Sequence, residues 1–392
     1  MTQDSRLKTK IVISCAPTTA PYLAAELLAL NYPVLKENPT DVVTEGNMQD
    51  CMRLNLYLRT AHRVLLIIEE LNARTADQLY EKARLIPWED YLHKDGFFSI
   101  DSFVRNESIR DYRYASLKLK DAIADRFQKK FGERPDSGKE KDQAVLFMHW
   151  VDEKVSLGLD TSGETLAKHS YRHLPWKAPL LESMAASIIL ASRWDTRSHF
   201  INPMCGSGTL AIEAAMIALN YPPGLLRDNF GFMHLKGYRP AVWNELKDEA
   251  REDRWDELPF RIIATDNNPL AIAAARENAR NAGVEQFIEF EICDFSETPV
   301  PEEPGTIIIN PEWGERLGDE EELAPVYKQI GDFFKSECSG YWGYIFTGNL
   351  NLAKRVGLRT KRRIEFHNSK IETRLLEYEL YSGSKKAEKT AD

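Results

Sequence analysis

The chain has 392 residues, 43% of them apolar and 28% charged, and a formal net charge of −9. That length is too great for one ordinary core and implies two or three domains of roughly 100–200 residues, while the balanced composition excludes disordered and fibrous classes. The acidic sum argues weakly against nucleic acid as a partner, but basic residues gather at Arg105–Lys141 and Lys354–Arg374, so a basic face on an acidic protein is permitted.

Read in chain order, Ile11–Cys15 is an apolar strand, Pro21–Leu30 has helical spacing, and Val42–Gly46 is a second strand before a turn. Cys51–Ile68 supplies a helix and then the β-rich run Arg63–Ile68. A second alternation follows: Thr75–Leu85 helical, Phe97–Val104 a strand, Tyr114–Phe131 a basic helix, Arg134–Asp142 a polar loop, and Ala144–His149 with Lys154–Asp160 as paired strands. From Tyr171 onward the pattern changes to long alternation. It starts with the apolar helix Leu180–Ala191 and places strands at His199–Ile201, Arg261–Thr265, Ile288–Cys293, Thr306–Ile309 and Gly343–Thr347, which predicts a mostly parallel, doubly wound α/β sheet. The small, charged tail Ser382–Asp392 is expected to be disordered.

No run approaches the ~18 apolar residues of a membrane span, and the start MTQDSRLKTK lacks the apolar stretch of a secretory leader. A cytoplasmic protein without membrane contact is expected. The five cysteines, Cys15, Cys51, Cys205, Cys293 and Cys338, form no CxxC pair, so reduced thiols and no metal site are expected.

In a doubly wound sheet the ligand lies beyond the carboxyl ends of the strands. The segment Asn202-Pro203-Met204-Cys205-Gly206-Ser207-Gly208-Thr209 falls there, between a strand and the helix Thr209–Ala218. Gly206 and Gly208 let backbone approach a ligand, and the first amides of the helix point at the same spot. Asp266, with Asn267 beside it, ends the next strand and is placed to accept both hydroxyl hydrogens of a ribose. Asp294 after the third strand can accept from an adenine amino group, with Phe295 beside the ring. Loop caps are the plainer alternative for both acids. The GxxxxGK[ST] pattern of a phosphate loop is absent, which disfavours nucleotide hydrolysis. The long gap before Asp266 is filled by an insertion, Tyr221–Pro259.

The fourth strand runs into Asn310-Pro311-Glu312-Trp313-Gly314-Glu315-Arg316. An exocyclic amine on a base is a poor nucleophile because its lone pair is delocalised into the ring. Acceptors that hold its hydrogens let nitrogen rehybridise as charge develops. The Asn310 side-chain carbonyl and the Pro311 backbone carbonyl are candidates for that task, and Trp313 offers a face for stacking. The alternative is a proline turn with a core tryptophan.

With both sites in view, the chain resembles the THUMP-containing RNA guanine-N2 methyltransferases, in particular the N-terminal half of the bacterial 23S rRNA enzyme. Proteins of this kind often carry the label N6-adenine-specific DNA methylase. The resemblance rests on NLYLRTAHRVLLII (Asn55–Ile68), KAPLLESMAASIIL (Lys177–Leu190), NPMCGSGTLAIEAA, PPGLLRDNF (Pro222–Phe230), DNNPLAIAAARENARNAG (Asp266–Gly283) and FTGNLNLAKRVGLRTKRR (Phe346–Arg363), in that order along nearly the whole chain. It implies a ferredoxin-like part at 1–68, a THUMP RNA-binding domain at 69–165, a Rossmann-like class I methyltransferase domain at 166–382 and a tail at 383–392. It also implies S-adenosyl-L-methionine as methyl donor, bound by Asn202, Cys205, Gly206, Ser207, Gly208, Thr209, Asp266, Asn267, Asp294, Phe295 and Asn310, with Asn310, Pro311 and Trp313 at the reacting amine.

The implied partner is structured RNA, ribosomal rather than transfer RNA, gripped by Arg105, Arg110, Arg113, Lys118 and Lys120; no protein partner is expected. A solvated basic helix face is the plainer reading of those five. Two positions depart from the family: Asn202 stands where an Asp is usual, and Asn-Pro-Glu-Trp replaces Asn/Asp-Pro-Pro-Tyr/Phe. The first removes a charge that would pair with the donor's ammonium; the second adds the Glu312 carboxylate, which can either read the N1 and N2 hydrogens of guanine or simply face solvent. Methylation of a tRNA guanine, of N6 of adenine in DNA or of glutamine in a protein, and a non-catalytic RNA-binding assembly role, are the rival readings.

Overall fold

The computed structural model describes residues 8–174, 180–314, 319–368 and 371–381. Residues 177–179 of the expected segment Lys177–Leu190, Glu315 and Arg316 of the acceptor segment, and the tail 382–392 lie outside the described residues.

The elements in chain order begin β1 (Thr9–Cys15), α1 (Ala20–Ala29), β2 (Lys36–Asn38), β3 (Asp41–Gly46), α2 (Met48–Tyr57), β4 (Ala61–Asn72), α3 (Ala76–Ala83) and β5 (Phe97–Arg105). They continue with α4 (Tyr112–Phe131), β6 (Asp136–Gly138), β7 (Ala144–Val151), β8 (Lys154–Asp160), α5 (Glu182–Ala191), β9 (Phe200–Pro203), α6 (Thr209–Ala218) and α7 (Pro240–Glu252). The remainder are β10 (Ile262–Asp266), α8 (Pro269–Asn281), β11 (Glu289–Ile292), β12 (Thr306–Ile309), α9 (Asp319–Ser336), β13 (Trp342–Thr347), α10 (Leu350–Ala353), β14 (Arg362–Asn368) and β15 (Ile371–Glu379).

The chain divides into two compact units, one of Met1–Ala16, Leu23–Lys168 and Pro223–Glu252, the other of Pro17–Tyr22, His169–Pro222 and Asp253–Asp392. The first unit carries one eight-stranded sheet in the order β2-β3-β1-β4-β8-β7-β5-β6. Alternation builds its core: Ile11, Ile13 and Cys15 of β1 are buried while their neighbours are less so. Helix α2 starts at a capping box, with Asn47 accepting from the Asp50 amide and Asp50 accepting from the Asn47 amide, which satisfies two amides that the helix cannot. The buried Asn55 of α2 then donates to the Thr161 hydroxyl at 2.8 Å and accepts from Ser162 at 2.7 Å, so the motif around it ties helix to sheet. The expected loop Arg134–Asp142 contains β6, which pairs in parallel with β5; three exposed residues held only by an edge ladder carry no apolar pattern to reveal them.

The segment Pro223–Glu252 within the expected insertion packs into this first unit. A Cβ on Gly224 would lie 2.5 Å from the Leu56 Cα, and one on Gly231 would lie 2.4 Å from the Asp160 carbonyl, so both positions need glycine for close approach. Arg227 reinforces the contact by donating to the carbonyls of Thr165, Ser162 and Glu164.

The second unit is the doubly wound sheet, ordered β11-β10-β9-β12-β13-β15-β14. The first five strands are parallel, and the last two form an antiparallel hairpin against β13. That hairpin is absent from the sequence reading, which saw basic residues at Lys354–Arg374. Its outer strand is half solvated and its alternation is interrupted by Arg, Glu and His, as an edge allows. Strands β9 and β12 are buried throughout, and Ile201, Ile307 and Ile309 pack with Tyr327, Ile330 and Phe333 of α9. The burial fixes where the strands end, and the loops at their carboxyl ends carry the site.

Candidate active site

Strand β9 delivers Asn202 to the base of the donor loop, where it is 1% exposed. Its amide nitrogen donates to the Ile308 carbonyl at 2.9 Å, which fixes which end of the side chain is oxygen. That Oδ1 is buried and has no hydrogen-bond partner. A buried acceptor left unpaired costs about 1–3 kcal/mol, so this oxygen is open to a donor from a bound ligand or a water. The loop beyond it is wound tightly: Met204 takes φ +54°, Gly206 φ +54° and Gly208 φ +81°. Positive φ at a non-glycine residue is strained and is retained where the surroundings demand it.

Gly208 caps α6 without any side-chain hydrogen bond, so the first amides of that helix remain available to a ligand. A Cβ at Gly208 would stand 2.9 Å from that of Ala275, and the glycine therefore also lets α6 and α8 approach. Ser207 and Thr209 are buried, and Cys205 is half-buried. Burial, and then the Asp266 carboxylate, push the Cys205 thiol well above its usual range, which leaves it neutral and without nucleophilic character.

Asp266 closes β10 and serves the loop directly. One of its oxygens accepts from the Gly206 amide at 3.0 Å and the other from the Asn268 amide at 3.0 Å. A carboxylate offers about four acceptor sites, so the two loop contacts leave capacity for a diol. Asn267 is exposed beside it. Asp294 is exposed and caps the turn Phe295–Glu297, accepting from the Ser296 amide and hydroxyl through one oxygen. The capping alternative is therefore real for that residue. Phe295 differs from expectation: it is 6% exposed and meets the Phe333 ring edge-on at 6.2 Å within the core, so its side chain is committed to packing rather than to a ligand face.

At the end of β12, Asn310 also has a buried Oδ1 without a partner. Pro311 is buried, and Glu312 is exposed. The turn is held from three sides. The Tyr327 hydroxyl donates to the Glu312 carbonyl at 3.1 Å and meets the Thr347 hydroxyl at 2.9 Å. Asn349 donates to the Trp313 carbonyl at 3.1 Å, and the Trp313 indole N–H donates to the Phe346 carbonyl at 3.3 Å. One part of the indole lies so close over Gly348 that a Cβ there would be 2.8 Å from Cε3. Trp313 is thus half-buried and clamped against the loop after β13.

Among the five basic residues, Arg113 is engaged by Asp111 at 2.7 Å and Lys118 by Asp77 at 2.9 Å. Arg105, Arg110 and Lys120 make no ion pair among the described residues. The sequence reading missed Arg172, Tyr327 and Asn349. Arg172 donates to the Thr209 hydroxyl at 3.2 Å and to the Leu180 carbonyl, with the Glu182 carboxylate 3.3 Å away, and so braces the start of α6. Asn349 lies in the FTGNLN segment, whose Asn and Gly are a detectable loop signal; Tyr327 reads as one more apolar position of an amphipathic helix. Among the described residues no helix is long and apolar enough to cross a membrane, and no group of three or more His, Cys, Asp or Glu is arranged to hold a metal ion.

A doubly wound sheet with a tight Gly loop after one strand, a carboxylate after its neighbour and an Asn-Pro turn after the next defines a Rossmann-like methyltransferase domain, here accompanied by an α+β unit. Three known families match stretches of the chain: the RMKL-like methyltransferase domain residues 169–377, the THUMP domain residues 73–160, and the RlmL ferredoxin-like domain residues 10–65. The chain belongs to the RMKL-like methyltransferase family.

It is 38% identical over 371 residues to the ribosomal RNA large subunit methyltransferase K/L of Syntrophotalea carbinolica, covering 92% of this chain and 52% of that relative. The chain spans about half the length of the curated relatives it matches. Among solved structures, a protein from Listeria monocytogenes described as a predicted N6-adenine-specific DNA methylase superposes with a TM-score of 0.87 at 28% identity, covering 96% of this chain and 97% of that one. SMU.472, solved in complex with SAH, superposes with a TM-score of 0.86 at 27% identity, covering 96% and 99%.

Proposed function

We propose that this chain transfers a methyl group from S-adenosyl-L-methionine to the exocyclic N2 of a guanine in structured RNA, with 23S rRNA preferred over tRNA, in the cytoplasm. The observation that carries the reading is the Asn310 Oδ1, a buried side-chain carbonyl with no partner at the end of the strand that adjoins the donor loop. The naming of the curated relatives as large-subunit rRNA methyltransferases and the THUMP match support RNA as the substrate.

The residues fit the donor. The unpaired Asn202 Oδ1 would accept from its ammonium, the uncapped amides of α6 would face its carboxylate, and Asp266 would take its ribose hydroxyls. Bound there, the donor supplies an electrophilic methyl group on a sulfonium. On the other side, the Asn310 Oδ1 and the Pro311 carbonyl hold the two amine hydrogens, which localises the nitrogen lone pair and stabilises the positive charge that grows on it. The surplus proton leaves to solvent after transfer. Glu312 is exposed and would read the guanine edge, and the partly open Trp313 ring would give the base a surface.

Incubation of the chain with methyl-labelled donor and an unmodified 23S rRNA transcript should yield N2-methylguanine after nuclease digestion. Asn310→Ala should reduce the rate about 10²–10³-fold with donor affinity retained. N6-methyladenine as the product, label on tRNA alone, or no label despite donor binding would each overturn the reading.

A further inference from the structure

The open face of the eight-stranded sheet carries a feature that neither the donor loop nor the acceptor turn uses. Ser102 of β5 touches Ser116 of α4, Oγ to Oγ at 2.8 Å, so even-numbered neighbours on β5 face that helix. Phe103, one residue on, faces the opposite side. It is 52% exposed, pairs across the ladder with His149 of β7, and stacks on it with ring centroids 5.3 Å apart and planes 11° from parallel. His149 is exposed too. A stacked aromatic pair left in water gains little from burial, and its outer ring faces remain available to a third planar group.

The register surrounds this pair with positive charge. His149 is opposite Ser156 of β8, so Phe103, His149 and Ser156 form one row across three strands. The next row on the same face, about 7 Å along the strands, is Arg105, Val151 and Lys154. Arg105 and Lys154 are exposed and make no ion pair among the described residues. Two nearby acids are already paired, Glu70 with Lys10 at 2.7 Å, and Asp101 with Arg63 at 3.3 Å and Lys141 at 2.8 Å, while the Asp41 carboxylate also acts on His149. What is left over is two aromatic rings beside two unpaired cations, the pairing of stacking surface and phosphate contact that unpaired nucleotides select.

We infer that Phe103 and His149 form a stacking platform for an unpaired base of the substrate RNA, with Arg105 and Lys154 on the adjoining phosphates. This rests on the RNA-methyltransferase reading above and adds to it a recognition site remote in sequence from the acceptor turn. Bases stack on such rings whatever their identity, so the platform grips a splayed loop or bulge rather than reading its sequence.

Filter binding of the intact chain to an unmodified 23S rRNA transcript tests it. The double variant Phe103→Ala/His149→Ala should bind about ten- to a hundredfold more weakly at fixed salt, while Phe103→Trp should bind as the parent does. Arg105→Ala should lower the slope of log affinity against log salt by about one, and Phe103→Ala should leave that slope unchanged. Calorimetric donor affinity and the circular dichroism spectrum should stay at parental values in every variant. Parental RNA affinity in the folded double variant overturns the platform while leaving the RNA reading intact. A parent that neither binds nor methylates the transcript overturns both.

Discussion

The Asn202 amide and the Ile308 carbonyl are 2.9 Å apart, so the head of the donor loop hangs from the strand that delivers the acceptor turn. The same side chain has its oxygen buried and unpaired. Asn202→Asp removes the N–H and places a carboxylate against a carbonyl. Without donor the variant should lose about 1–3 kcal/mol of stability. With donor the new charge should pair with the ammonium, so the donor-induced rise in melting temperature should exceed that of the parent. Thermal melts with and without donor check both halves; a variant that is as stable alone and gains no more from donor contradicts the geometry.

Gly208 combines φ +81° with a Cβ position 2.9 Å from Ala275. Gly208→Ala should destabilise the second unit by about 1–3 kcal/mol and abolish donor binding, because the loop can relieve the contact only by opening. Urea unfolding and calorimetry measure the two effects. Gly283→Ala, also at positive φ (+68°) but with open space around its Cβ position, should cost less stability and leave donor affinity unchanged.

Tyr327 is fully buried, and its hydroxyl joins the Glu312 carbonyl to Thr347; burial pushes that hydroxyl up to about 12. It stays protonated as a donor throughout the working range. Tyr327→Phe keeps the ring and removes the tie, so it should act as loss of a positioning residue: methyl transfer falls about 5–30-fold in kcat, with donor affinity and RNA affinity near parental values. Equal losses in donor binding and kcat would instead point to general damage of the unit.

The first unit should lose stability in acid in two stages. Burial, aided by Arg63, lowers His62 to about 4, below its free value of about 6.5. The unfolded chain therefore takes up that proton first, and the stabilisation, complete above pH 6.5, declines as pH falls toward 4. Glu89 is lowered to about 2 by its hydrogen bonds from Arg126, with Lys130 adding to them. Its contribution is complete above about pH 4.5 and disappears as pH falls toward 2. Unfolding free energies measured from pH 7 to pH 2.5 should show both stages, and Glu89→Gln should flatten the lower one by an amount on the order of 2 kcal/mol.

Much of the candidate site is legible in the sequence, because its pieces are local. The Gly loop, the acid that ends β10 and the Asn-Pro turn each follow an apolar strand, and a strand end in a doubly wound sheet is where a ligand goes. Strand and helix positions were readable for the same reason: burial on one face forces a period, and the period is printed in the residues. The exceptions are informative. β6 and β14 are edge strands with little apolar pattern to announce them, whereas β15 lies inside the sheet with Leu375, Leu376 and Tyr378 buried and is obscured in the sequence by the charged residues that alternate with them.

Tertiary structure decided what depends on neighbours far away in the chain. Sequence alone placed Asn202 at the donor loop, but only packing against Ile308 turns its oxygen inward. Phe295 looked available beside an adenine ring, yet α9 brings Phe333 against it and makes it core. Arg113 and Lys118 counted as free charge until Asp111 and Asp77 took them up. The segment Pro223–Glu252 interrupts the catalytic sequence and packs with the other unit because Gly224 and Gly231 admit its backbone there. Each outcome turns on which groups come within a few ångströms of one another, and short-range packing and hydrogen bonding act only once the chain has folded.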